Sequence, residues 1–327
     1  VTGPVEDRLS LDWELWVVEH LLFTAARDRL VDVLVEQGLP GDVARDQLAR
    51  IEQSRGLAGL RARVAEAALA DRLERLRTEL VADHPIPVLA DVTPDELLER
   101  FWIPGRPVVL TQAARGIEAV SSWTLPGLSA RFPDATVQVN VGRAAAQKPS
   151  DTEQRSARVP LPEYVARCLA GPTNDTYAVS RNGWLADPAL RALWDDLRPL
   201  PPLLAPSEPP RGVAMWVGPA GTVTPAHFDP HNVLLVQVQG TKVVRLAPRL
   251  RARLAARLDG YYLAGTLDEV FGAGLHTVHL GPGDALFLPA GWFHEVTATA
   301  PSITLSFLSF PWPNHFHFVG PTGSDDR

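Results

Sequence analysis

Between residues 106 and 310 the chain is cut into short runs of β-favouring residues, at 106–110, 136–141, 176–180, 213–217, 232–238, 242–246, 276–280, 285–288 and 303–310. Glycine and proline punctuate the gaps, and the chain carries thirty prolines, which suit turns and strand edges and break interior helix or sheet. Many short strands with turn residues between them favour a barrel or a sandwich, and this succession predicts a double-stranded β-helix, or jelly roll. The fold class expected is therefore mainly β, with an α-helical module in front of it.

That module is legible in the periodicity of residues 1–85. Leu9, Trp13, Trp16, Val17 and Leu21, then Leu30, Val33 and Leu34, form an apolar stripe over 9–37, which predicts a helix ending at Gly38-Leu-Pro40. A second helix is expected after Gly41 with Asp42 as its cap, and a third from about Leu57 to Val81, rich in Ala, Leu, Arg and Glu. Such a module either packs as a helical layer on the next domain or serves dimerisation or peptide recruitment. His84-Pro-Ile-Pro87 ends it, and 86–320 form the expected catalytic domain, with 321–327 a tail. Thr93 to Phe101 has the pattern of a capped short helix. Residues 142–160 look like a mobile loop, and Pro199 to Pro210 like a linker.

Composition narrows the function. A hydrophobic content of 46% with 21% charged residues is that of a globular chain, and a net charge of −7 offers no basic footprint for nucleic acid. One cysteine, Cys168, allows neither an internal disulfide framework nor a thiolate metal site. No run approaches the ~20 apolar residues of a membrane span, and no basic segment leads an apolar one at the start, so the expected location is the cytoplasm.

His227 and Asp229 stand two apart in Gly221-Thr-Val-Thr-Pro-Ala-His-Phe-Asp, and His294 follows in Gly291-Trp-Phe-His-Glu-Val. On a strand, residues two apart face the same way, so His227 and Asp229 can grip one ion while Phe228 turns into the opposite layer. Two imidazoles and one carboxylate on one face of Fe(II) leave open positions for a co-substrate and O2, the arrangement of non-haem iron oxygenases. His315-Phe-His317 repeats the spacing without a partnering acid, and is read as tail. Of Trp216, Phe228, Trp292, Phe293, Phe310 and Trp312, some are expected to line the pocket and more to fill the core.

In order along the chain, Phe101 with Pro107-Val-Val-Leu110, Trp216 to Pro230, Gln237-Val-Gln-Gly-Thr-Lys-Val-Val-Arg-Leu246 and Gly281 to His294 resemble the JmjC, cupin-type 2-oxoglutarate oxygenases. The resemblance is closest to the small hydroxylase branch that includes the factor-inhibiting-HIF asparaginyl hydroxylase, and it spans roughly 95–312. It implies that His227, Asp229 and His294 hold Fe(II), and that Lys242, fifteen residues after His227, binds the distal carboxylate of 2-oxoglutarate. Lys242 is one of only two lysines among 31 basic residues, the other being Lys148. Thr224 and Tyr177 match the family's hydroxyl and phenol donors to that carboxylate, and Ser306 a polar contact to the keto-acid end.

One position departs from the pattern. Related hydroxylases have Asn four residues after the Asp ligand, where this chain has Val233, with Asn232 one place early. A one-residue shift on a strand reverses the face, so either a bulge restores Asn232 to the interior or other groups hold that end. His231, beside Pro230, is expected in an exposed turn.

The expected reaction is hydroxylation of a peptide or protein side chain, with 2-oxoglutarate and O2 consumed and succinate and CO2 released. The Asp229 carboxylate disfavours halogenation by filling the place a halide would take. The substrate class is compatible with a ribosomally made peptide, and the helical module with a homodimer. A metal-binding cupin that is not an oxygenase, and a hydroxylase of a small metabolite, are the alternatives.

Overall fold

The computed structural model describes residues 9–22, 27–82, 85–206, 212–248, 258–271 and 275–314, with side chains omitted at 11, 67, 70, 71 and 73–82. It divides into two compact units, Val1–Leu76 and Arg77–Arg327. His315, His317 and the tail lie outside the described residues.

In the first unit α1 (Leu11–Leu22), α2 (Arg27–Glu36) and α3 (Gly41–Glu52) follow one another, and α4 (Arg55–Ala82) begins there. Apolar residues three and four apart meet there: Val17 and Leu21, Leu30 and Leu34, then Ala44, Leu48 and Ile51 with Leu57, all buried in one cluster. Of the stretch expected as one helix over 9–37, α1 and α2 are helical, and 23–26 between them lie outside the described residues. Asp42 does not cap α3. The capping position is Pro40, with no side-chain cap bond, and Asp42 lies in the first turn, where the helix dipole favours a carboxylate.

The second unit opens with β1 (Val88–Leu89) and a turn capped as expected, in which Thr93 Oγ1 accepts from the Glu96 amide and Glu96 accepts from the Thr93 amide. The helix α5 (Pro94–Leu97) runs into a π-helical turn ending at Trp102. After β2 (Val108–Leu110) come α6 (Glu118–Ser122), α7 (Leu125–Arg131), β3 (Thr136–Val141), β4 (Ser156–Pro160), α8 (Leu161–Leu169) and β5 (Thr176–Tyr177). The remaining strands are β6 (Val213–Gly218), β7 (Val223–His227), β8 (Val233–Gln239), β9 (Lys242–Ala247), β10 (Leu258–Asp259), β11 (Tyr262–Leu263), β12 (His276–Leu280), β13 (Ala285–Leu288), β14 (Phe293–Ala298) and β15 (Ser302–Phe307).

From β6 on, most successive strands alternate between two six-stranded sheets, β1-β2-β13-β8-β15-β6 and β10-β11-β7-β14-β9-β12, which is the jelly roll expected from the strand spacing. The two-residue period decides what each face buries. On β15, Ile303, Leu305 and Phe307 join the large apolar cluster that includes residues of α5, α7 and α8. Ser302, Thr304 and Ser306 alternate with them and are buried too, so the opposite face is polar. On β8, Leu234, Val236 and Val238 face that large cluster, while Val233 and Leu235 join Val244, Leu246, Val278 and Leu280 of the other sheet.

Residues 142–160 are not a free loop. They hold two short 3-10 turns and then β4, which pairs antiparallel with β3 over Thr136–Pro160 to Asn140–Ser156, in a third sheet β4-β3-β5. The polar outer face of this edge strand hides its period. The expected linker packs at its start, with Leu203 and Leu204 buried in the main core; 207–211 lie outside the described residues.

Candidate active site

A cavity of about 360 Å³ opens within the jelly roll, lined by side chains of both large sheets. His227, the last residue of β7, stands directly opposite His294 of β14 in the strand register, which brings residues far apart in sequence to a ring separation of 4.1 Å. Asp229 lies just beyond the end of β7 and not on the strand as expected. Its carbonyl accepts from the Gly291 amide at 2.9 Å, tying it to the turn before His294. Between them Phe228 is buried against Tyr261 and Phe293.

His294 Nε2 is 3.7 Å from Asp229 Oδ2, and one ligand atom from each of the three residues falls within 4.8 Å of the others. Each imidazole has its Nδ1 beside a carbonyl two residues earlier, Pro225 for His227 at 2.9 Å and Trp292 for His294 at 3.1 Å. Donation from Nδ1 fixes the tautomer that leaves Nε2 as a lone-pair donor, the orientation device common to metal-binding histidines. Burial, with the His227 ring beside it, holds the His294 imidazole down at about 4 against the pull of Asp229. It is therefore neutral near pH 7, the form that binds a metal. This donor set of two imidazole nitrogens and one carboxylate fits Fe(II).

Deeper in the cavity, Lys242 is buried and its ammonium donates to the Tyr177 hydroxyl at 3.1 Å. Among the described residues no carboxylate lies within ion-pair distance of Lys242. A buried cation without a counter-ion is costly, a cost that an anionic group beside it would offset. Gly218 makes room for the phenol: a Cβ there would sit 2.6 Å from Tyr177 Cδ2.

Thr224 and His227 both line the cavity although they are three residues apart, a spacing that would put them on opposite faces of a regular strand. Opposite them on β14, His294 and Val296 are only two apart, so β7 carries an extra residue at Pro225-Ala226. This β-bulge turns the strand so that both side chains point inward. Ser306 also lines the cavity, its hydroxyl accepting from Trp216 Nε1 at 3.3 Å.

Val233 lines the cavity and Asn232 does not, so no bulge restores Asn232 to the interior. Asn232 is structural: its side chain and amide both donate to Asn314 Oδ1, its carbonyl accepts from Asn314 Nδ2, and its Oδ1 accepts from the Ala290 amide at 2.9 Å. His231, expected in an exposed turn, is half-buried and lines the cavity. Of the aromatic set, Trp216 and Phe228 line it, while Trp292, Phe293 and Phe310 are buried in core clusters.

The 143–155 segment contributes residues that sequence reasoning missed. Glu153 and Tyr262 line the cavity, and the Tyr262 hydroxyl donates to Glu153 at 2.6 Å. Burial first, then the Glu153 carboxylate, pushes the Tyr262 phenol up, so it stays protonated. Arg181 pairs with Glu153 at 3.3 Å from a largely exposed position. Arg143 is buried beneath Tyr177. No periodicity marks Arg143 and Glu153, because their directions depend on the turns between β3 and β4.

Residues 94–254 match the Cupin-like domain family and residues 207–315 the JmjC domain family. The chain is 37% identical over 107 residues to Jumonji C domain-containing protein 5 of Drosophila melanogaster, covering 29% of this chain and 27% of that protein. It is 29% identical over 233 residues to Lysine-specific demethylase JMJ30 of Arabidopsis thaliana (66% and 52%), and 26% identical over 244 to tRNA wybutosine-synthesizing protein 5 of Danio rerio (65% and 71%). The chain thus spans between about a quarter and a half of the length of the first two of these relatives. These matches, with the His227, Asp229 and His294 cluster, give the chain a Cupin-like and JmjC domain similar to that of the JmjC/cupin 2-oxoglutarate oxygenases.

Proposed function

We propose that this protein is an Fe(II)- and 2-oxoglutarate-dependent hydroxylase of a peptide or protein side chain, of the small hydroxylase branch, releasing succinate and CO2. The observation that carries the reading is the pairing, in one cavity, of a three-ligand metal site with a buried ammonium that has no carboxylate partner. His227, Asp229 and His294 would hold the iron. Lys242, Tyr177 and Thr224 would hold the distal carboxylate of the keto-diacid, and Ser306 faces the same space. When bound, the iron supplies activation of O2 coupled to decarboxylation of the co-substrate.

The chain's own part is placement and dryness. Because the Tyr177 hydroxyl accepts from Lys242, its proton is free to turn towards a carboxylate, so the two residues act as one clamp. Val233, Leu235, Val244, Leu280 and Val296 form apolar walls that keep bulk water from the reacting atoms. A volume near the lower end of ligand pockets suits the co-substrate with one side chain beside it.

The test is succinate release from 2-oxoglutarate with Fe(II) and ascorbate, together with the visible charge-transfer absorption on anaerobic addition of 2-oxoglutarate. Absence of both would return the chain to a metal-binding cupin without oxygenase activity. The relatives named as lysine-specific demethylases supply a second reading, oxidation of an N-methyl group. Products separate them: hydroxylation adds one oxygen atom to a peptide, and demethylation removes one methyl group. A ribosomally made peptide remains the proposed substrate class within the first reading, and a cytoplasmic location goes with it. Exposed Leu60, Val64 and Leu69 on α4 support association of two copies through the helical unit, which the solution mass of a Leu60→Glu, Val64→Glu variant against the parent tests.

A further inference from the structure

We infer that Arg143 is a positioning residue for the distal carboxylate of the co-substrate, acting through Tyr177 as a second buried positive charge behind the clamp. The inference rests on the 2-oxoglutarate reading of the cavity given above.

Its placement follows from the turn after β3. Gly142 has φ of +68°, a left-handed conformation that suits glycine, and it turns the next side chain back under the sheet. Arg143 is 3% exposed. Its guanidinium donates to three backbone carbonyls, Asn174 from Nε at 3.3 Å, Thr152 from Nη1 at 3.4 Å and Val223 from Nη2 at 2.6 Å. Those bonds knit together the turn before β5, the 3-10 turn bearing Glu153, and the start of β7.

Carbonyls orient the guanidinium but do not neutralise it. Among the described residues Arg143 makes no ion pair. Burial lowers its pKa, yet a guanidinium stays charged at any physiological pH. Its central carbon lies 5.2 Å from the Tyr177 ring centroid, and Lys242 Nζ lies 5.6 Å from the same centroid. Two buried cations therefore flank one phenol, neither of them in an ion pair; of the cavity's carboxylates, Glu153 acts on Arg143 only from a distance and is bonded to Tyr262 and Arg181, and Asp229 stands beside His294. Burying two unpaired charges is costly unless an anion completes the set.

Three consequences separate this role from simple packing. Arg143 holds the Tyr177 ring by cation–π contact, so the hydroxyl keeps its place at the Lys242 ammonium. Its charge adds long-range attraction that a neutral keto acid tail cannot feel. The site should therefore discriminate 2-oxoglutarate from 2-oxopentanoate, which has a methyl group where the distal carboxylate stands, and Arg143 should supply part of that discrimination.

The experiment measures dissociation constants of both keto acids for the full chain loaded with Mn(II), a redox-inactive stand-in for iron, by calorimetry. The parent, Arg143→Gln, Arg143→Lys and Lys242→Met are compared, with thermal melts to follow folding. Arg143→Gln is expected to reduce the preference for 2-oxoglutarate by about tenfold, while 2-oxopentanoate binding changes little. Arg143→Lys, which keeps the charge and loses most of the carbonyl bonds, is expected to retain most of the preference. Equal weakening of both ligands by Arg143→Gln would overturn the inference and leave a structural arginine. If Arg143→Gln fails to fold, loss of the preference in Arg143→Lys would overturn it in its place. Failure of the co-substrate reading looks different: the parent itself would show no preference, and Lys242→Met would change nothing.

Discussion

The Lys242 ammonium and the Tyr177 hydroxyl form a buried hydrogen bond of 3.1 Å across the inside of the jelly roll, joining β9 to β5. Neither group is satisfied by this bond alone, since the ammonium has three donors and the hydroxyl a free proton. Lys242→Ala is expected to raise the 2-oxoglutarate concentration needed for half-maximal succinate release by about ten- to a hundredfold, the range of a lost charge-assisted bond. Tyr177→Phe should have a smaller effect in the same direction. An unchanged requirement in the lysine variant would mean that another residue holds the distal carboxylate.

The metal site makes a sharper demand. His227→Ala or Asp229→Ala leaves two ligands where three converge within 4.8 Å, so iron-dependent turnover should vanish while the melting curve of the metal-free protein stays close to the parent. Retained turnover in either variant would contradict the assignment of that ligand.

At Gly218 the prediction is steric. A methyl group there meets the Tyr177 ring at 2.6 Å, so Gly218→Ala should force the phenol aside, with a loss of stability of about 1–3 kcal/mol and weaker 2-oxoglutarate binding. Calorimetry and a denaturant curve read the two effects separately. Parent-like affinity would show that the ring has another place to go.

Asn232 should behave in the opposite way. Its bonds to Asn314 and the Ala290 amide tie the start of β8 to the turn before His294 and to the end of the described chain. Asn232→Ala is expected to cost about 1–3 kcal/mol of stability, with the 2-oxoglutarate requirement unchanged. A raised requirement with parent-like stability would place Asn232 at the co-substrate after all.

Cys168 supplies a prediction about pH. Burial pushes its thiol up to about 12 from a usual value of 9. Because the folded state holds the proton more tightly than the unfolded one, this contribution to stability is complete below pH 9 and is lost as pH rises from 9 towards 12. Under native conditions near pH 8 a thiol reagent should label Cys168 only at the rate of unfolding. Rapid labelling of the folded protein would contradict its burial.

Much of the β domain was legible in the chain because a two-residue period survives wherever one face of a strand is apolar. The expected runs at 136–141, 276–280 and 285–288 coincide with β3, β12 and β13. The cluster of His227, Asp229 and His294 was legible because spacing and residue type together point to one chemistry. β4 was not, since its polar outer face hides any period in a segment composed like a loop, and β14 escaped as a strand although its histidine was singled out. Asp42 looked like a cap because its residue type is common there, whereas the backbone begins the helix two residues too early for it to serve.

By itself, then, the sequence determined the jelly-roll class and the helical module, and it singled out His227, Asp229, His294 and Lys242, which the fold brings to one cavity. Only the tertiary structure decided that Asn232 is a brace, that a bulge at Pro225-Ala226 aims Thr224 and His227 the same way, and that Arg143 lies under Tyr177. The reason is physical. Residue type and period are local properties of the chain, whereas the direction of a side chain after a bulge or a left-handed turn is set by strands that pair across tens of residues.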